Sequence, residues 1–210
     1  MKRVLFIGWI LLALPLSLWA RSGDKTPKAP AVAHYKVDPA HTQVLFKVRH
    51  MGISWVTGRF KEIDADIWFD PADLTTFRAT AKIPVSSIDT DNEKRDAHLK
   101  SPDFFDAEKY PYITFTSKQV SDVEGNQFKV TGDLTIKGIT KPVTLSVEYL
   151  GSAVDPWGNE RVAFNAHGTI DRRDFGLTWN KVLETGGLLV GNEVRIILEV
   201  EAIKQTDSTH

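Results

Sequence analysis

The 210 residues amount to about one domain, with 26 Lys+Arg against 27 Asp+Glu, a formal net charge of −1, 42% hydrophobic residues and no cysteine. So even a balance supplies no general basic field for a nucleic-acid backbone. The absence of cysteine excludes disulfide frameworks, thiolate nucleophiles, Cys-ligated zinc or iron–sulfur sites and a lipid-modified cysteine anchor.

Fifteen of the hydrophobic residues fall within positions 1–20, behind Lys2 and Arg3, and the run is broken by Pro15 and ends at Ala20. A basic start, an apolar stretch of roughly 15 residues and a small terminal residue form the pattern of a secretory signal peptide. The stretch is shorter than the roughly 20 residues that a spanning helix needs, and no later segment approaches that length, so no integral membrane span is expected after cleavage. Export with cleavage of this leader is the expectation. Without Lys2 and Arg3 the chain carries 24 basic and 27 acidic residues. Residues 21–33 hold two prolines and two lysines with little to bury, and read as a flexible tether. Residues 205–210 read as a polar tail. Between them, 34–204 forms one domain with no internal repeat or low-complexity block.

Periodicity within that domain is mostly two, the signature of half-buried strands. In chain order, Val44, Phe46, Val48 and His50 share one face; then Ala65, Ile67 and Phe69; Phe77, Ala79, Ala81, Ile83 and Val85; and Ile113 with Phe115. Next come Phe128, Val130, Gly132, Leu134 and Ile136; Val143, Leu145, Val147 and Tyr149; Val162, Phe164, Ala166, Gly168 and Ile170; and Val194, Ile196, Leu198 and Val200. Eight such strands, with almost no helix-period segment among them, argue for an all-β antiparallel sheet whose apolar face is buried by closure into a barrel or by folding into a sandwich. The one helical window spans 90–100, with Asp89 or Thr90 as N-cap, Glu93 in the first turn and Pro102 beyond the end.

An eight-stranded barrel has an interior that is either just filled or just able to hold one small ligand. The inward face mixes large residues (Phe46, Phe77, Phe115, Phe128, Phe164) with small ones (Ala79, Ala81, Gly132, Ala166, Gly168), which fits both a filled core and a hollow one. The lack of another site favours the hollow. No G-x-S-x-G, G-x-G-x-x-G or P-loop is present, and Asp174-Phe175-Gly176 lacks the rest of the kinase set. The acidic stretch from Asp89 to Glu93 has Lys94 and Lys100 where an EF-hand loop needs Gly and Glu, and a helix N-terminus accounts for it instead. Histidines 41, 50 and 167 read as satisfied strand-end residues, with metal ligation across strands as the rival reading. Arg95, Asp96 and His98, and likewise Arg172, Arg173 and Asp174, form either structural charge clusters or a polar rim for a ligand head group.

These residues, taken in order, resemble the YceI family of bacterial secreted, lipocalin-like polyisoprenoid-binding proteins. The resemblance is carried by Val37-Asp38 and His41 ahead of Phe46 and His50, Gly58 with Phe60, Ile88-Asp89-Thr90, Arg95-Asp96 with His98-Leu99, and the Ser101 to Asp106 run. It continues through Tyr110-Pro111, Phe115-Thr116-Ser117, the Gly132 to Gly138 run, Thr140, Pro142-Val143 and Arg173 to Leu177. Tyr35 stands where such sequences often carry Trp. The resemblance implies an eight-stranded lipocalin-like barrel over 34–204 whose apolar tunnel holds a long-chain isoprenoid lipid for transport or storage, with periplasmic localisation, homodimers and no other cofactor. On that basis Phe46, Val48, Phe77, Ile83, Phe115, Phe128, Val130, Phe164 and Ile196 are expected to line the tail site, and His50, Arg95, Asp96 and Arg173 the mouth. Phe104 and Phe105 would serve as an apolar lid or dock the helix to the barrel. Binding of fatty acid or fatty amide amphiphiles, and an enzyme acting on an isoprenoid head group, are the alternatives; the sequence offers no catalytic nucleophile–base pair and no metal set for the latter.

Overall fold

Segments that alternate apolar and polar side chains present one face to a core and the other to water, and they pair edge to edge because every backbone N–H and C=O needs a partner. Residues 31–184 and 186–206 are described in a computed structural model. The expected signal peptide, residues 21–30 of the tether and residues 207–210 of the tail lie outside the described residues. The strands are β1 Ala33–Val37, β2 Gln43–His50, β3 Ser54–Phe60, β4 Asp64–Asp70, β5 Asp73–Pro84, β6 Ile88–Asp89, β7 Tyr112–Glu124, β8 Gln127–Ile136, β9 Ile139–Val154, β10 Glu160–Asp171 and β11 Val190–Lys204. The helix α1 spans Glu93–Lys100.

All the pairings are antiparallel, and β1-β4-β5-β7-β8-β9-β10-β11 close into an eight-stranded barrel through the β1–β11 ladder. Closure removes the free edges that a flat sheet of this size would expose. β1 and β2 behave as one long strand interrupted by a turn of 3-10 helix at Pro39–His41. Both halves pair with β11, β1 near Ala202 and β2 from Glu199 back to Val190. Their other neighbours differ: β1 pairs with β4, whereas β2 pairs with β3 and β3 with β6. The ring is therefore sealed at the β1 end, and β2, β3 and β6 leave it at the other.

The eight expected strands are all present, and β1, β3 and β6 are additional. β3 (Ser-Trp-Val-Thr-Gly-Arg-Phe) lacks a clean apolar alternation because Gly58 sits at an inward position where the ring of Phe46 lies over it. β6 is only two residues long, below the length at which period two can register. The helix also starts later than 90. The Asp89 carboxylate accepts from the Asp91 amide at 3.0 Å and Asp91 takes a left-handed φ of 56°. Asn92 becomes the N-cap, its Oδ1 accepting from the Arg95 amide at 3.0 Å.

Candidate functional site: a barrel filled at one end and hollow at the other

The interior has two parts. At the sealed end, Phe69 packs against Phe77, Phe164 and Tyr149, and Phe77 against Phe128 and Phe164, with ring centroids 5.2–6.3 Å apart. Tyr35, Val130 and Val162 are fully buried around them. This aromatic plug leaves no room for a ligand. Toward the other end lies a cavity of about 200 Å³, walled by Phe46, Val48 and Phe60 from the diverging strands, by Ile63 just before β4, by Ala81, Ile83, Ile113 and Phe115 of β5 and β7, and by Val194, Ile196 and Leu198 of β11. Leu99 of α1 and Phe104 and Phe105 of the following turn cover it. The walls are almost wholly apolar.

The hollow exists because the strands that leave the ring carry their apolar side chains away from the opposite wall. Of the small inward residues, Gly132 and Gly168 do not contribute to it. A Cβ at Gly132 would lie 2.5 Å from the Phe115 ring and 2.5 Å from the Thr116 carbonyl, and one at Gly168 would lie 2.7 Å from Leu145. Those glycines are already filled by their neighbours' side chains. Ala81 is the small residue that faces open space.

Of the expected tail-lining residues, Phe46, Val48, Ile83, Phe115 and Ile196 lie together on the cavity wall. Phe77, Phe128, Val130 and Phe164 belong to the plug and do not reach the cavity. Period two identifies which side chains point inward; how far along the barrel axis each one sits depends on strand tilt and stagger. Phe104 and Phe105 dock the turn after α1 onto the barrel and line the cavity as well, Phe105 meeting Phe60 edge-on at 6.1 Å.

A second space of about 300 Å³ adjoins the first and shares Phe46, Val48, Leu99, Phe104 and Val190 with it. Its polar wall is formed by Arg49, His50, Thr90, Lys94, Arg95 and His98, with Trp179 closing one side. His50 and Arg95 therefore sit at the mouth. Asp96 does not line it: its Oδ1 accepts from the Thr90 amide at 2.9 Å and the Thr90 hydroxyl at 2.5 Å. Arg95 donates to the same threonine, from Nε to the hydroxyl and from Nη2 to the carbonyl, both at 2.7 Å. The three residues tie α1 to β6. Arg173 is exposed and paired with Asp171, Nε to Oδ1 at 2.9 Å, so it too stands outside the mouth. Its position next to a charged strand end gave no means of telling it from its neighbour.

That neighbour, Arg172, which the sequence grouped with Arg173 and Asp174 without singling it out, is the one that is buried. It is 3% exposed and reaches the cavity wall. Its guanidinium donates from Nε to the Gly191 carbonyl at 2.8 Å, from Nη1 to the carbonyls of Leu177 and Trp179, and from Nη2 to the Val190 carbonyl at 3.3 Å. Burial pushes its pKa down from the usual arginine value, yet carbonyl dipoles on both sides of the 178–189 loop satisfy the charge. Arg172 thus pins the loop that borders the mouth, and has its donors committed to backbone. The pair opens the 3-10 turn Arg172–Phe175, where no strand alternation marks which of the two is buried.

Histidines 41, 50 and 167 lie apart. His41 Nδ1 is 2.9 Å from Asp38 Oδ2, and His167 lines an outer groove with Asp122 and Lys129. Among the described residues, Asp38, His41 and Glu201 place their ligand atoms within 4.8 Å of one another. Arg161 already occupies that cluster, its Nη1 donating to Asp38 at 2.8 Å and to Glu201 at 2.5 Å. Arg161 and His41 hold the Asp38 carboxyl down at about 2, and a guanidinium in place of a cation fits a structural clasp between β10, β11 and the 3-10 turn.

Residues 35–202 match the model of the YceI-like domain. Relatives described as Protein YceI, from Salmonella arizonae and Salmonella enteritidis PT4 among others, are 37% identical over 182 residues, covering 86% of this chain and 92% of theirs. Among solved structures, Burkholderia cenocepacia BcnA is similar with a TM-score of 0.69 and 30% identity over 79% of this chain and 98% of its own. The Campylobacter jejuni YCEI protein has a TM-score of 0.65 and 36% identity, covering 75% and 90%. A polyisoprenoid-binding domain from Saccharophagus degradans shares the fold with a TM-score of 0.59 at 15% identity, over 81% and 98%.

Proposed function

The chain belongs to the YceI-like family, and from that premise we propose that it is a lipid-binding protein of the periplasm that holds a long-chain polyisoprenoid, with its tail in the hollow half of the barrel and its head at the adjoining polar mouth. The observation that carries this reading is the cavity between the aromatic plug and the Leu99–Phe104–Phe105 cover, apolar apart from Arg172 and adjoining a rim that bears His50 and Arg95. Each CH₂ moved from water into such a space contributes roughly 0.8 kcal/mol before ordering costs, so a prenyl tail binds without polar contacts. The polyisoprenoid-binding domain from S. degradans, which shares the fold, supports the choice of ligand class.

In this reading Phe46, Val48, Ile83, Phe115 and Ile196 contact the tail. The plug sets the depth, so a long tail leaves by the mouth rather than running through the barrel. In this reading the protein acts by transport or storage, and the one charged group on the cavity wall, Arg172, has its donors bound to carbonyls. The reading includes cleavage of the 1–20 leader, a flexible tether before the barrel, and homodimers.

Protein expressed with its own leader and purified without detergent is extracted into organic solvent and the extract analysed by mass spectrometry. A stoichiometric isoprenoid supports the reading; an empty extract, together with no uptake of added polyprenyl lipid, overturns it. A fatty acid or fatty amide in the extract replaces the ligand class. Mass and sedimentation of the same sample give the leader cleavage site and the oligomeric state.

A further inference from the structure

The end of the barrel that carries the mouth also carries an apolar tip. The β2–β3 hairpin turns through Met51 and Gly52, both at positive φ, and leaves Met51 42% and Ile53 79% exposed. Beside it the 181–189 loop leaves Val182 73% and Leu188 41% exposed, and these two pair across the loop. The two segments are joined: the Met51 amide donates to the Leu189 carbonyl at 2.8 Å, and His50 pairs with Val190. Four large apolar side chains therefore stand together in water at one end of the molecule, an arrangement that marks an interaction surface.

The charge around the tip indicates its partner. Arg49, Lys94 and Lys181 flank it, with Lys47 farther down β2, and none of them is held in an ion pair among the described residues. On the outer face, Arg49 and Arg195 lie over the same Trp55 ring, with their guanidinium carbons 4.2 and 4.4 Å from its centroid. Arg195 is also 3.5 Å from Glu193, and Glu184 is the acid of the loop, so the tip is basic on balance. Protruding apolar side chains ringed by cations and an indole are the chemistry of a segment that lies in the headgroup layer of an anionic bilayer.

We propose that this tip docks the barrel, mouth first, on the surface of an anionic phospholipid bilayer. This rests on the lipid-binding reading for its purpose, since it brings the opening beside His50 and Leu189 against the source or destination of the tail, but its geometry is independent of any ligand. Ile53 and Val182 enter the headgroup region, Arg49 and Lys181 meet lipid phosphates, and the loop pinned by Arg172 sits at the boundary.

The test is co-sedimentation with phosphatidylglycerol vesicles and with phosphatidylcholine vesicles, using protein expressed with its leader and shown by mass spectrometry to have lost it. Binding is expected to the anionic vesicles, to fall steeply between ~0.1 M and ~1 M salt as the screening length shrinks from about 10 Å to about 3 Å, and to weaken about tenfold in Ile53→Asp and Val182→Asp. Trp157→Ala, at the opposite end and 80% exposed, serves as the control and binds as the parent does. The milder Ile53→Ser, checked by thermal unfolding, guards against a folding defect. Equal binding to both vesicle types, no vesicle binding, or equal loss in the Trp157 variant overturns the proposal, as does a tip variant that only turns a dimer into monomer, which would make a second copy of the chain the occupant. Retained isoprenoid in tip variants that no longer bind vesicles confirms docking as a separate property. Failure of docking with isoprenoid still bound leaves the lipid-binding reading standing, and an empty cavity with docking intact does the reverse.

Discussion

If the barrel is packed at one end and hollow at the other, the same substitution should have opposite effects in the two halves. Ala166 is 7% exposed in the packed core, with Leu198 and Val147 as its cross-strand neighbours. Ala166→Leu forces three more carbons into filled space, which costs about 1–3 kcal/mol. For a domain of this size that corresponds to a Tm lower by roughly 3–10 °C. Ala81 sits between Ala65 and Phe115 but faces the cavity. Ala81→Leu buries its three carbons in existing apolar space, worth up to about 2 kcal/mol at roughly 0.8 kcal/mol each, less about 0.5–1 kcal/mol for fixing the side chain. The net is a gain of about 1 kcal/mol and a Tm higher by a few degrees. Both variants are melted by circular dichroism after bound lipid is stripped by unfolding and refolding, then reloaded with a polyprenyl lipid and weighed by native mass spectrometry. Ala81→Leu should be the more stable and the poorer binder. Equal destabilisation of the two, or undiminished loading of Ala81→Leu, refutes the division of the interior.

Gly132→Ala should lower stability by about 1–3 kcal/mol in denaturant titration, because the new methyl meets the Thr116 carbonyl, which cannot move, and the Phe115 ring, which can yield only into the cavity. The same variant should load less lipid. Arg172→Met leaves the carbonyls of Leu177, Trp179, Val190 and Gly191 without their donor; a loss of about 3 kcal/mol and earlier proteolytic nicking between 178 and 189 are expected, and unchanged protease resistance would exclude the pinning role. The Asp38 carboxyl, held by Arg161 and His41 at about 2 against an ordinary 3.8, is depressed on folding. Its contribution is therefore complete above about pH 4 and is lost as the pH falls toward 2. Urea midpoints measured from pH 5 to pH 2 should decline over that window, and the decline should be shallower in Arg161→Ala.

The sequence by itself determined the class of fold and the composition of its interior. Alternation in β2, β4, β5 and β7 through β11 fixes which side chains turn inward, since period two is a local property of extended backbone. The short charged run before Pro102 could be placed as a helix from its capping, first-turn acid and proline stop, which are also local, although its cap moved to Asn92 because Asp89 and Thr90 are engaged by Asp91 and Asp96. What only the tertiary structure decided is depth. Phe46 and Phe77 have the same pattern around them, yet one lines the cavity and the other is packed in the plug. The difference comes from strand stagger and from β1 and β2 choosing different partners across β4 and β3, a long-range pairing that no window of sequence contains. Arg172 and Arg173 were likewise indistinguishable as neighbours. The turn of the chain after β10 buries one among carbonyls at the cavity wall and leaves the other with Asp171 in water.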